Sequence, residues 1–303
     1  MKWHLEVESG EAEFKVTHKD RLCLLGSCFA SNISEKLQKS GFQVHSNPLG
    51  TVFNPLSLAF AMKDLGQEIR VGESQNGLHA MDAHGTFTFP TSEELRMKVD
   101  AAKKAFHEAL LRSKMLIVTW GTAQVWEWSL DGEPVANCHK LPQTVFDSRF
   151  LEVDEITSCW EDLLSRWFLV NPGIQVVLTV SPVRYTRGGM ANNSLSKGIL
   201  HQASRKLEKQ FEGVHYFPAY EIVTDELRDY RFFKEDLVHP NDAAVAHVFE
   251  RFQKWCMTDE TIEKSEKIQR LNQRLDHRFS SDVQAQKARE EVGRAIETLL
   301  KDC

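Results

Sequence analysis

The stretch "RLCLLGSCFASNISEKLQKSG", Arg21–Gly41, decides how the rest of the chain is read. A short apolar run, Leu22–Leu25, meets Gly26 and turns at once into a pattern in which Phe29, Ile33 and Leu37 recur at helical steps. That is the form of a buried parallel strand feeding a helix through a tight turn. In open α/β sheets the reactive group stands just beyond the carboxyl end of a strand, where the following helix presents its free N–H groups. A nucleophile there gains from the helix dipole, which lowers a thiol pKa and stabilises an oxyanion. Ser27 and Cys28 are the two side chains at the turn, and an N-cap serine followed by a buried cysteine is the structural alternative.

Three further runs have the look of buried strands: "MLIVTW" (Met115–Trp120), "QVVLTV" (Gln175–Val180) and "VHYFPAY" (Val214–Tyr220). Helical patterns lie between them. Leu95, Val99, Ala102, Phe106 and Leu110 fall at steps of three and four within Thr91–Ser113, and Ile156, Trp160, Leu163, Leu164 and Trp167 do so within Asp154–Val170. Strands separated by helices of this length imply right-handed βαβ crossovers and a mostly parallel sheet covered on both faces. The expected fold is a three-layer α/β/α sandwich over residues 1–256.

Residues 257–303 form a proline-free, charge-dense tail. Its apolar residues read as two amphipathic helices, Ile268, Leu271, Leu275 and Phe279, then Val283, Val292, Ile296 and Leu299, with "FSSD" as the break and cap. They are expected to fold back on the domain or to mediate self-association as a homo-oligomer; acidic residues on their polar face argue against a membrane surface.

The chain of 303 residues is 42% hydrophobic, enough to bury one large core. Its 37 basic and 43 acidic residues give a formal charge of −6, and no basic stripe with interleaved aromatics points to nucleic acid. The six cysteines, Cys23, Cys28, Cys138, Cys159, Cys256 and Cys303, are scattered without zinc-knuckle or CxxC spacing, so they read as reduced thiols. No run approaches the roughly 18 apolar residues of a membrane span, and a cytoplasmic location is expected.

A second motif lies far downstream in "YRFFKEDLVHPNDAAVAHVFERF". Asp236 precedes His239 by three residues on a turn, from which a carboxylate can reach the imidazole, fix its tautomer and raise its basicity. Together the two motifs resemble the SGNH hydrolase superfamily, and "GSCFA" is the signature for which the GSCFA family is named. The resemblance extends through "NPLGTVFNP" (Asn47–Pro55), "TWGTAQVWE" (Thr119–Glu127), "VANCHKLP" (Val135–Pro142), "LTVSPVR" (Leu178–Arg184) and "YEIVTDELRDYRFF" (Tyr220–Phe233), over roughly residues 20 to 256.

The resemblance implies an acyl-ester hydrolase acting on an O-acylated, carbohydrate-type substrate through a covalent acyl-enzyme. The alternatives are an acyltransferase to a sugar hydroxyl and a non-catalytic carbohydrate-binding domain. Laid without gaps on Gly-Asp-Ser-Leu, Gly26-Ser27-Cys28-Phe29 puts Cys28 at the nucleophile position, with Ser27 as the other candidate. By the same resemblance Asp236 and His239 supply the acid–base pair and the Ser27/Cys28 and Gly50 backbone amides hold the oxyanion, a plain turn glycine being the alternative at Gly50. The third block departs from the family's Gly-x-Asn: Gly121-Thr122-Ala123 lacks the amide, so that either two backbone donors suffice or Thr122, Gln124, Asn54 or Asn137 replaces it. His84 and His139, in family-like segments, are candidate substrate contacts, with satisfied structural histidines as the alternative; Arg184 at a strand's carboxyl end is a further candidate, where a salt bridge is the alternative. His79 and His84 stand five apart with no carboxylate cluster, so no metal site is expected, and no cofactor. Trp120, Trp126 and Trp128 are read as core packing before sugar stacking.

Overall fold

The computed structural model describes residues 5–276 and 282–301. The opening stretch folds as β1, Arg21–Gly26, followed by α1, Cys28–Lys39. The chain then forms β2, Gln43–Ser46, and the short α2, Pro55–Phe60. A small antiparallel sheet follows, made of β3, Val71–Ser74, β4, Gly77–Ala80, and β5, Thr88–Phe89. After α3, Ser92–Leu110, comes β6, Met115–Trp120. A second antiparallel sheet holds β7, Gln124–Trp128, β8, Glu133–Val135, and β9, Phe146–Phe150. Then come α4, Val153–Val170, β10, Gln175–Val180, α5, Met190–Gln210, and β11, Val214–Tyr216. The chain closes with α6, Ala219–Glu221, α7, Asp242–Cys256, α8, Asp259–Gln273, and α9, Asp282–Lys301.

The main sheet runs β11-β10-β6-β1-β2, with every pair parallel. Alternation along its strands sorts side chains into two cores. Leu22 and Leu24 of β1, Met115 and Ile117 of β6, and Val177 of β10 face α1 and α7, where Phe29, Ile33, Leu37, Val248 and Phe252 meet them. Cys23, Leu25, Leu116, Val118, Val176 and Leu178 face the other way, against Val99 and Phe106 of α3, Trp160 and Leu163 of α4, and Leu200 and Leu207 of α5. Both faces are therefore apolar, which is why these strands read as continuous hydrophobic runs. The architecture is the three-layer α/β/α sandwich.

Several elements depart from the sequence reading. Strand β11 stops at Tyr216 instead of running to Tyr220, because Pro218 leads into α6. Strand β2, helix α5 and both antiparallel sheets were not anticipated. The tail helix α8 lies against α1: Ile268 is fully buried at Gly41, Gln269 Nε2 donates to Ser40 Oγ at 2.6 Å, and Asn272 Nδ2 donates to the Lys39 carbonyl at 2.8 Å. The expected break at "FSSD" begins at Phe279, which, with Cys303, lies outside the described residues. Among the described residues no helix is long and apolar enough to cross a membrane.

Candidate active site

The turn after β1 is built around Gly26, whose φ of 143° only glycine tolerates and where a methyl group would collide with the Thr119 carbonyl of β6. Its N–H donates to Asn47 Oδ1 at 2.8 Å, which ties the turn to the chain leaving β2. Ser27 is the N-cap of α1. Its hydroxyl accepts the Phe29 N–H at 3.3 Å and donates to Ser181 Oγ at 3.0 Å, and Ser27 is 1% exposed. Cys28, the first helical residue, is half-buried and lines a cavity of about 360 Å³ at the carboxyl ends of β1, β6 and β10. Burial pushes its thiol pKa up, against the pull of the Phe29 and Cys28 N–H groups and the charges of Lys234 and Lys197. The lowered thiol pKa expected from the helix terminus is thereby corrected: desolvation outweighs the N–H groups.

Across the same cavity stands His239. Its Nδ1–H donates to Asp236 Oδ2 at 2.7 Å, which leaves the Nε2 lone pair unengaged by the carboxylate. Asp236 Oδ1 accepts the N–H groups of Val238 and His239 at 2.9 and 3.0 Å. The His239 and Val238 N–H groups, then the imidazole, hold the Asp236 pKa down to about 2. The loop is closed by Lys234 N–H donating to the His239 carbonyl at 2.7 Å. Arg184 fastens it from outside, donating to the Leu237 carbonyl at 2.9 Å while its guanidinium sits 4.1 Å from the Phe233 ring. Arg184 lines the cavity too, and among the described residues it makes this carbonyl and aromatic clamp in place of the alternative salt bridge.

The donors expected for an oxyanion are redistributed. Gly50, at φ 76°, gives its N–H to the Asn47 carbonyl at 2.8 Å, so that group is occupied by a turn. The next residue, Thr51, lines the cavity, and its N–H meets no protein acceptor among the described residues. The Cys28 N–H, among the described residues, likewise meets no acceptor but its own sulfur. Asn54 is the N-cap of α2: its Oδ1 accepts the Ser57 N–H and its Nδ2 donates to Ser57 Oγ and the Val135 carbonyl, so its amide is fully committed. Thr122 lines the cavity, but its hydroxyl meets Ser196 Oγ at 3.0 Å and accepts the Gln124 N–H. Where the missing amide would stand, the Ala123 N–H donates to Ser196 Oγ at 2.7 Å. The Gln124 amide turns to Ser148, and Asn137 Oδ1 accepts the His139 N–H.

Of the two candidate histidines, His84 lines the cavity, packed so closely on Gly50 that a β-carbon there would strike it. His139 does not line it. It is buried, stacked on His79 with ring centroids 4.7 Å apart, and burial holds its pKa down to about 4. Trp120 is a core residue, edge-on to Trp160 at 5.5 Å. Trp126 donates to the Tyr185 hydroxyl and carries Arg187 over its ring at 4.1 Å; Tyr185 in turn lines the cavity.

Four residues around the site escaped the sequence reading. Ser181 and Thr51 line the cavity, and Ser196 braces Ala123. Lys197 is buried, its Nζ donating to three backbone carbonyls. Ser196 and Lys197 belong to α5, and a lysine flanked by "NNSLS" and "GILH" offers no apolar period to mark it.

The model of the GSCFA family matches residues 21–252. A search of curated proteins found no match. Among solved structures the chain is similar to a proposed acylhydrolase from Bacteroides fragilis, at 8% identity and a TM-score of 0.42, covering 84% of this chain and 91% of that one. It is similar to an acetyl xylan esterase from the rumen bacterium Butyrivibrio proteoclasticus, at 11% identity and a TM-score of 0.41, covering 81% of this chain and 66% of that one. A family two carbohydrate esterase from Clostridium thermocellum has 9% identity and a TM-score of 0.37, covering 84% and 66%.

Proposed function

The chain belongs to the GSCFA family, and from its cavity we propose that it is an acyl-ester hydrolase working through a thioester on Cys28. One observation carries the reading: a half-buried thiol at a helix N-terminus shares a cavity with a histidine already oriented by a carboxylate. Ser27 is the weaker candidate, since its hydroxyl is buried and engaged as cap and donor.

In this mechanism the thiol enters neutral, in keeping with its raised pKa, and His239 Nε2 takes its proton as sulfur attacks the ester carbonyl. The oxyanion is received by the N–H groups of Cys28 and Thr51. Asp236 stabilises the imidazolium, which returns the proton to the departing alcohol as the C–O bond breaks. Water, deprotonated by His239, then cleaves the thioester to release the acid and restore the thiol. The absent third-block amide costs about 2.7–4 kcal/mol of transition-state stabilisation, so turnover is expected to be modest. The superfamily resemblance makes O-acylated carbohydrates the first substrates to try. The apolar wall of Phe53, Val183, Tyr185 and Val238 supports a second reading, transfer of the acyl group to a sugar hydroxyl with water held back.

The test is a panel of short acyl esters and acylated sugars, with and without sugar acceptors. Hydrolysis with an acyl adduct on Cys28 supports the first reading, and turnover only with an acceptor supports the second. Binding without turnover or adduct would leave a carbohydrate-binding domain.

A further inference from the structure

Lys197 is 2% exposed, yet no carboxylate is paired with it among the described residues. Its Nζ donates to the carbonyls of Gly121 at 2.6 Å, Ser181 at 2.7 Å and Val183 at 3.0 Å. Gly121 and Ser181 are the first residues past the ends of β6 and β10, and Val183 lies two further on. Three acceptors at these distances call for three N–H donors, which an ammonium has and a neutral amine lacks. The geometry is therefore that of a buried cation, which is costly without a compensating negative charge.

Few titratable or charged groups face it. From its own helix comes His201, whose pKa is held down to about 4 chiefly by burial. Beyond β11, Tyr220 presents its ring, 5.8 Å from Nζ. From α1 comes Cys28, the one group whose ionised form favours the Lys197 charge, against the burial that pulls the lysine pKa down. Cys28 in turn is faced by Lys234 from the loop before His239, by His239 across the cavity and by Lys197.

We infer that Lys197 is a positioning residue of this cavity: its ammonium, held by the three carbonyls, is the built-in counter-charge for the Cys28 thiolate. This rests on the reading of Cys28 as nucleophile. The Cys28 proton still passes to His239, and Lys197 keeps its own. The same three hydrogen bonds fix the strand ends that carry Thr122 and Ser181 into the cavity wall. Once the thioester forms, the negative charge is gone and Lys197 holds its proton less tightly.

Two measurements test this without any ester. In Lys197→Met, the rate of Cys28 alkylation by iodoacetamide, followed by mass spectrometry across pH, should shift upward by about one pH unit, which is about tenfold slower at any pH below the midpoint. An unchanged profile would overturn the inference, because it would mean that Lys197 carries no charge when Cys28 ionises. Should that variant not fold, the second measurement uses the natural lysine. The Cε resonance of Lys197 in ¹³C-lysine-labelled protein should titrate at lower pH in Cys28→Ser, and after alkylation of Cys28, than in the untreated parent. Coincident titrations would also overturn it. A protein that shows the coupling but turns over no ester would sink the proposed hydrolase and leave the lysine–thiol pair standing.

Discussion

Replacing Ser27 with alanine separates the two candidate nucleophiles. The substitution deletes a hydroxyl that caps α1 through the Phe29 N–H and donates to Ser181 Oγ, both serines being essentially buried. Loss of an N-cap costs about 0.5–2 kcal/mol. Ser181 is not orphaned, since its oxygen still accepts the Val183 N–H at 3.3 Å, so the total should stay near about 1–2 kcal/mol. For a chain of this size, with about 2.1 cal/mol/K of unfolding entropy per residue, that lowers Tm by roughly 1.5–3 °C. If Cys28 is the nucleophile, kcat/KM on the best ester of the panel should remain within a few-fold of the parent. Cys28→Ala should do the reverse, with a nearly unchanged melting curve and no turnover. Both are read by calorimetry and initial-rate hydrolysis on the same preparations. A dead Ser27→Ala beside an active Cys28→Ala would refute the reasoning and move the acyl group to Ser27.

Asp236→Asn should lower kcat on the order of 10³–10⁴-fold, and His239→Ala should abolish turnover with little change in Tm; retention of activity by both would end the pairing. Because burial raises the Cys28 pKa, its alkylation should rise with pH through a midpoint above that of an exposed thiol, and a midpoint below it would show that the helix terminus outweighs desolvation. Gly50→Ala forces a methyl into His84 and should reduce kcat/KM roughly 10–100-fold by displacing the Thr51 N–H; unaltered kinetics would remove Thr51 from the site. A chain ending at Met257 loses the burial of Ile268 against Gly41 and should be less stable by at least about 2 kcal/mol with near-normal turnover per folded molecule, so an unshifted melting curve would contradict the packing of α8.

What was legible in the sequence follows from how each element is buried. β1, β6 and β10 present apolar residues to both faces, so composition marks them directly. β2, "QVHS", lies at the edge and is only half covered, which leaves no apolar run to notice. α5 buries Asn193, Ser196, Lys197 and Ser204 among its apolar residues. A face made of satisfied polar groups breaks the helical period, and the helix and its site residues were missed together. The D-x-x-H spacing was legible because its chemistry is local: one turn brings carboxylate and imidazole within 2.7 Å. The role first given to Gly50 illustrates the opposite case. Which of two successive N–H groups is spent in a turn depends on φ at a single residue and on the distant Asn47 carbonyl, and no motif records that choice.

The strand order β11-β10-β6-β1-β2 places the first strand and the last on opposite sides of β6. Cys28 leaves the sheet after the first strand, and His239 arrives only after the last. During synthesis the thiol therefore emerges long before the imidazole proposed as its base, and every strand pairing between them spans a crossover, the slow kind of contact to form. Until β10 and β11 have docked, Cys28 has neither the imidazole nor the carbonyl-held lysine beside it. The proposed centre would thus serve as a gauge of finished folding, recording native assembly later than the growth of helix does.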